Sequence, residues 1–437
     1  MLKRIKITGF KSFKNVEVKL GKLAVIIGPN ATGKSNFLDA LQLLSRIATC
    51  EKLTDAFDSP FRGKPLESFS YGKEGLEGLS KKNSVSLRLE VDVEISKSIV
   101  ESVNNEIFDL KRAKPSDEAL DSNRSQIALV REKFLRYMIE IEMDPQKGML
   151  WVKDENLLAL KLNGEPRSPH SRAPFLERLG KKLHLRMEKE SHPLYFERYL
   201  SYSILSRSLH IPHYPHLTAM KRELTNWLFY YFEPRERMRT PNPVKESRHI
   251  GLMGEELAAF LHTLKVTDEK RFFGLKKALN ALIPSITDID TQVNKFGEVE
   301  LQITERDVQY SSRLISEGTL RIIGLLALGS AKESPSLVGL EEPENGIHPR
   351  RIRLIAKYLC EKAAEDTQFI VTTHSPTLPN YIPDKDLYIC HFIDDQSEII
   401  PFITLGPLYK SSEVNKGLDD EPMLTKEERI LRGDFDL

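Results

Sequence analysis

Gly28-Pro29-Asn30-Ala31-Thr32-Gly33-Lys34-Ser35, "GPNATGKS", fits the pattern GxxxxGK[ST]. It stands between a short apolar run, "LAVII" (Leu23 to Ile27), and "SNFLDALQLLSRIA", in which Phe37, Leu38, Leu41, Leu44 and Ile47 recur at helical spacing. Strand, glycine-rich turn and helix therefore follow in the order that the motif needs. The run does not alternate with polar residues, which marks a strand covered on both faces. Glycines let backbone N–H groups turn toward phosphate oxygens, and the helix N-terminus adds positive potential. Lys34 then reaches the β- and γ-phosphates, and Ser35 offers its hydroxyl to Mg²⁺. A nucleoside triphosphate, ATP or GTP, is the expected ligand.

Such loops work with a second acidic site on a neighbouring strand, and "SLVGLEEPENGIHP" (Ser336 to Pro349) supplies one: an apolar run that ends in Glu341 and Glu342. One carboxylate can hold the Mg²⁺ shell while the other orients or deprotonates the attacking water, and the divalent ion lowers the cost of two adjacent like charges. The plain alternative is a pair of solvated glutamates opening a loop. Two further stretches bear on this. "LISEGTLRIIGLLAL" places Ser316, Glu317, Gly318 and Thr319 just before an apolar helix, and "FIVTTHSP" ends a buried strand in His374.

The order of P-loop, S-x-G at a helix start, acidic strand end and histidine strand end resembles that of the ABC-type ATPases, most closely their RecF/SMC-like and OLD-like branch. "ITGFKSFKNVEVKLGKLAVIIGPNATGKSNFLDALQLLS", "RHIGLMGEELAAFLHTL", "ISEGTLRIIGLLAL", "LEEPENGIHPRRI" and "QFIVTTHSP" are similar to stand-alone, predicted AAA-type ATPases of bacteria in that branch, which lack a nuclease domain. The likeness covers residues 1–50 and 225–385. It implies an α/β fold: a P-loop NTPase head of ABC type, with a mixed sheet flanked by helices, an antiparallel N-terminal lobe and an inserted α+β region. Residues 1–95 are the expected N-terminal part of the head, 96–225 the insert, and 226–437 the C-terminal part with the signature helix, acidic strand and switch histidine.

Carried over by motif, Gly28, Pro29, Asn30, Ala31, Thr32, Gly33, Lys34, Ser35 and Asn36 bind ATP, while Ser316 and Gly318 cap the γ-phosphate held by another subunit. Ser35 and Glu341 hold Mg²⁺, and Glu342, Lys34 and His374 carry the catalysis. Glu341 stands where ABC transporters carry Asp, with precedent in the OLD-like branch. His348 stands where many of these ATPases have Asp and is expected at a dimer contact. The implied protein is an ATP-sandwiched homodimer or higher homo-oligomer, a DNA-linked sensor or regulator in repair or phage defence that acts with a separate nuclease or effector. The rival expectation is an ATP-dependent oligomeric scaffold with little or no turnover.

The remainder of the chain is less informative. Its 437 residues are 40% hydrophobic and 29% charged, and Lys+Arg at 64 nearly balances Asp+Glu at 63, so bulk charge does not announce nucleic acid. Cys50, Cys360 and Cys390 form no pairwise framework, and neither a secretory leader nor an 18-residue apolar span is evident, so a cytoplasmic, non-membrane protein with reduced thiols is expected.

Ile5 and Ile7, then Val16, Val18 and Leu20, alternate with polar neighbours and predict a hairpin turning near Lys14-Asn15. The polar stretch Asp109 to Gln126 separates strand candidates at 84–95 and 135–143. "ITDIDTQVNKFGEVELQITERDVQYSSRLI" predicts a second hairpin, and "WLFYYF" (Trp227 to Phe232) a buried strand rather than a base-stacking platform. "HIPHYPH" gathers His210, His213 and His216, which reads as a surface loop in preference to a metal site. Lys3, Arg4, Lys6, Lys11 and Lys14, with Arg235, Arg237 and Arg239, are either solvated faces or phosphate contacts. Asp394, Asp395 and Glu398 are too few acids for a nuclease centre.

Overall fold

The computed structural model describes residues 1–112, 128–188, 193–197, 199–332, 334–365, 367–404 and 425–433; most of the polar stretch 109–126 lies outside the described residues. The chain opens with β1 (Leu2–Phe10), β2 (Phe13–Lys19), β3 (Leu23–Ile27) and α1 (Lys34–Ile47). There follow α2 (Gly75–Ser80), β4 (Val85–Glu94), α3 (Lys97–Arg112), β5 (Phe134–Asp144), β6 (Met149–Ala159), β7 (Leu176–Leu179), β8 (Lys182–Leu185), β9 (Leu194–Phe196) and α4 (Pro215–Thr225). The last part runs β10 (Trp227–Tyr230), β11 (Asn242–Pro243), α5 (Leu257–Thr267), α6 (Glu269–Leu282), β12 (Ile286–Val293), β13 (Glu298–Glu305), β14 (Val308–Ser311) and α7 (Glu317–Leu328). It closes with β15 (Leu337–Glu341), α8 (Pro349–Ala364), β16 (Gln368–Thr373), β17 (Leu387–Ile393), β18 (Gln396–Pro401) and α9 (Lys426–Arg432).

Two compact units interleave along the sequence: residues 1–21, 35–227 and 391–399 form one, and 22–34, 228–390 and 400–437 the other. The first is built on an antiparallel sheet in the order β2-β1-β4-β5-β6-β7-β8-β9. Its hairpin turns at Lys11-Ser12, before the expected Lys14-Asn15. Phe10 pairs with Phe13, and Lys11 takes φ +45°, so a two-residue turn closes the strands early.

In the second unit β15, β16, β3 and β17 are parallel neighbours within the order β10-β15-β16-β3-β17-β18. Every residue of β3 and of β16 is buried, as expected of strands with both faces covered. The acidic strand β15 is not adjacent to the P-loop strand β3, however: β16, which leads to His374, lies between them. The mixed sheet with helices, together with an antiparallel N-terminal sheet, is the α/β architecture expected. The second predicted hairpin is β12–β13.

"WLFYYF" departs from its expectation. As the outer strand of its sheet, β10 buries Trp227 and Tyr230, leaves Leu228 and Phe229 half-covered, and the chain then exposes Tyr231 before burying Phe232. "HIPHYPH" is a surface segment only in its first part: His210 is exposed and His213 half-buried, but His216 is not on the surface. Ile211–His213 form a 3₁₀ turn and Pro215 opens α4, which drives His216 into the core. There its Nδ1 meets the Glu188 carboxylate at 2.7 Å, and its Nε2 accepts the Arg131 and Glu132 N–H groups at 3.2 and 3.1 Å. Among the described residues no group of three or more His, Cys, Asp or Glu is placed to hold a metal ion, and no helix is long and apolar enough to cross a membrane.

Candidate functional site

Parallel pairing sets Ile27 beside Thr373 and Thr372 beside Glu341, so three strands end at one edge of the sheet. That edge, at the carboxyl ends of the strands, is where open α/β sheets bind ligands. From β3 the chain enters the loop 28–33 and then α1, whose first residue is Lys34. Gly28 is required there by close approach: a Cβ at this position would lie 2.1 Å from the Cys390 carbonyl oxygen. The Cys390 thiol donates to the Thr32 carbonyl at 3.2 Å, so one residue of β17 shapes both ends of the loop. Burial pushes that thiol up to about 11.

Lys34 is 7% exposed, and its Nζ donates to the carbonyls of Gly28 and Pro29 at 2.8 and 2.7 Å. Burial pushes the ammonium below its ordinary value, while Cys390, Glu342 and Glu341 pull in the opposite direction. A buried cation facing two carboxylates suits a site that takes in several negative charges. Asn36, two residues on, donates from Nδ2 to Ser12 Oγ at 2.9 Å.

Glu341 ends β15, and Glu342 turns out of it at φ +47°. The Glu342 N–H donates to the Thr372 carbonyl at 2.9 Å, and its Oε1 lies 2.8 Å from His374 Nδ1. Ser316 caps α7. Its Oγ accepts the Thr319 N–H at 3.2 Å and donates to Thr319 Oγ1 at 2.8 Å. Gly318, in the first turn, packs so closely on the loop after β15 that a Cβ would stand 2.6 Å from the Gly346 carbonyl oxygen. His348 caps α8, its Nδ1 accepting the Arg350 N–H at 3.3 Å.

Three groups at this edge escaped the sequence reading. Glu344 is buried and accepts the hydroxyl of the wholly buried Thr373, while its Oε2 is buried without a hydrogen-bond partner. Burial raises its carboxyl above the ordinary range, with Glu342 acting in the same sense and Thr373 against it. Arg321, one turn beyond the S-x-G, is pushed down by burial while Tyr231, Glu317, Glu342 and Glu344 oppose. Cys390 is the third. Glu344 and Thr373 lay inside the quoted "EEPEN" and "VTTH" stretches; only their pairing was invisible.

The other candidates have local explanations. Asp394 and Asp395, at φ +50° and +60°, form the left-handed turn between β17 and β18, a conformation that Asp tolerates. Lys3 pairs with Glu94, Arg4 with Glu17 and Glu90, Lys11 with Asp39, and Arg235 with Glu317.

Comparison with known proteins bears on the same residues. Residues 222–378 match the family model described as "AAA domain, putative AbiEii toxin, Type IV TA system", and residues 1–159 match "AAA ATPase domain". The chain is 22% identical over 384 residues to an OLD nuclease of Thermus scotoductus; the alignment covers 86% of this chain, and the chain spans only 59% of that relative's length. Similar solved structures include an SMC head bound to the C-terminal winged-helix domain of ScpA (14% identity, TM-score 0.48, covering 91% of this chain and 97% of that one). Another is the SMC head domain of Thermotoga maritima (14% identity, TM-score 0.40, 92% and 98% covered).

Proposed function

We propose that this chain, which carries an AAA/ABC-type ATPase domain related to OLD proteins, binds ATP on the Gly28–Ser35 loop and hydrolyses it to ADP and phosphate. The observation that carries the reading is the meeting of Lys34, Glu341, Glu342 and His374 at the carboxyl ends of the parallel strands β3, β15 and β16. The Ser35 hydroxyl and the Glu341 carboxylate are hard oxygen donors of the kind Mg²⁺ takes and would hold it; when bound, the ion neutralises phosphate charge. Lys34 donates to phosphate oxygens. Glu342, held by His374, orients the attacking water and accepts its proton.

The active form in this reading is a homodimer or higher homo-oligomer, in which Ser316 and Gly318 of a second copy cap the γ-phosphate. Residues 1–95 and 226–437 are the two parts of the head, and 96–225 the insert. The cycle serves a DNA-linked sensor or regulator working with a separate nuclease or effector in the cytoplasm, a role supported by kinship to a protein named as a nuclease.

The test is ATP turnover by the wild type and Glu342→Gln, with and without double-stranded DNA. Turnover that DNA stimulates and the substitution abolishes is expected. Equal, negligible turnover in both proteins, with ATP-dependent oligomers, would replace the ATPase reading by that of a scaffold.

A further inference from the structure

Two carboxylates of one turn reach two consecutive residues at the end of β16. Glu342 takes His374, at 2.8 Å, and Glu344 takes the hydroxyl of Thr373. The same hydroxyl accepts the Ser375 N–H at 2.9 Å, so its bonds bracket His374 in the backbone. The turn is itself fastened to β16 through the Glu342 N–H, and it closes on itself through Asn345 N–H to Glu342 O at 3.1 Å and Ile347 N–H to Glu344 O at 3.0 Å. Thr373 is wholly buried and Glu344 only 5% exposed, whereas His374 and Glu342 open toward solvent. An inner pair therefore supports an outer pair that would meet water and phosphate.

We propose that Glu344 is a positioning residue for ATP hydrolysis: by holding Thr373 it fixes the end of β16 and keeps His374 on the Glu342 carboxylate. The role needs an acceptor oxygen at Glu344 and a hydroxyl at Thr373, and nothing more. A carboxamide therefore serves at position 344, because its carbonyl oxygen accepts the same hydrogen bond. Outer partners that orient metal-ligating side chains are worth about 10- to 100-fold in activity, and the lower end of that scale is expected for this support of a carboxylate–histidine pair. Because both partners act through one bond, their losses do not add.

This inference rests on the hydrolysis proposed above. Its test is steady-state ATPase kinetics and fluorescent-ATP binding for the wild type, Glu344→Ala, Glu344→Gln, Thr373→Val and the Glu344→Ala/Thr373→Val double variant. Expected are a kcat roughly tenfold lower in Glu344→Ala and in Thr373→Val, with KM and ATP affinity within about twofold of wild type, a double variant no worse than either single one, and near-wild-type rates in Glu344→Gln. Should Glu344→Ala not fold, Thr373→Val and Glu344→Gln carry the test. Unchanged kcat in Thr373→Val, losses confined to KM, additive losses, or a Glu344→Gln as impaired as the alanine variant would overturn the role. Absence of turnover in the wild type would overturn the ATPase reading and this role together; normal wild-type turnover with unimpaired variants overturns this role alone.

Discussion

Nδ1 of His374 lies 2.8 Å from Oε1 of Glu342, so the side chain that follows β16 orients the one that follows β15. A general base supplies about 10²- to 10⁴-fold in rate. Glu342→Gln is therefore expected to lower kcat by at least about 100-fold with ATP still bound. His374→Ala should lower it less, by about tenfold, because it removes the orienter and not the base. The double variant should match Glu342→Gln, and turnover assays on the three proteins check this.

Gly318 is the second residue of α7, and in a helix interior alanine gains about 1 kcal/mol over glycine, an upper bound for this first-turn position. Here its Cβ would sit 2.6 Å from the Gly346 carbonyl oxygen, a backbone atom that cannot rotate away. Overpacking of that kind costs about 1 to 3 kcal/mol, so the clash outweighs the helical gain. Gly318→Ala should lower the thermal midpoint and turnover together. A more stable Gly318→Ala protein would show that the contact gives way.

Glu155 is wholly buried and accepts hydrogen bonds from Tyr137 Oη at 2.8 Å, Ser203 Oγ at 2.7 Å and the Ile204 N–H at 2.8 Å. Its removal leaves several buried donors unmatched, each costing about 1 to 3 kcal/mol. Glu155→Ala should lose about 3 kcal/mol or more in urea denaturation.

The Glu344 carboxyl gives a pH dependence of definite sign. Burial holds its proton above the ordinary value of 4.5, so between 4.5 and the raised value the native state binds more protons than the unfolded one. Its contribution to stability is thus complete below pH 4.5 and is lost as pH rises through the raised value. Glu344→Gln cannot titrate. The thermal midpoint of the wild type relative to this variant should therefore fall as pH rises above 4.5, as a pH series of melting curves would reveal.

The glycine loop and the apolar runs beside it were legible because they are local: spacing within eight residues and uninterrupted burial need no knowledge of neighbours. The adjacency of β16 to β3 was not legible, since strand order follows from long-range pairing. His216 was misread because Pro215 starts a helix within what looked like an extended proline-spaced segment, and its partner Glu188 is 28 residues away. The Asp394-Asp395 pair, too small a set of acids for a nuclease centre, is turn geometry. Glu344 was in plain view beside two carboxylates that already had roles; only its burial and the Thr373 hydroxyl distinguish it.

The contacts of Cys390 bear on how portable the phosphate loop is. Eight residues spell the motif, yet its curvature is moulded by a carbonyl oxygen and a thiol from a strand more than 350 positions away. A graft of those eight residues onto another strand–helix junction would transfer the letters without the mould. Conversely, exchanging Cys390 for a bulkier residue would deform a loop whose own sequence is untouched.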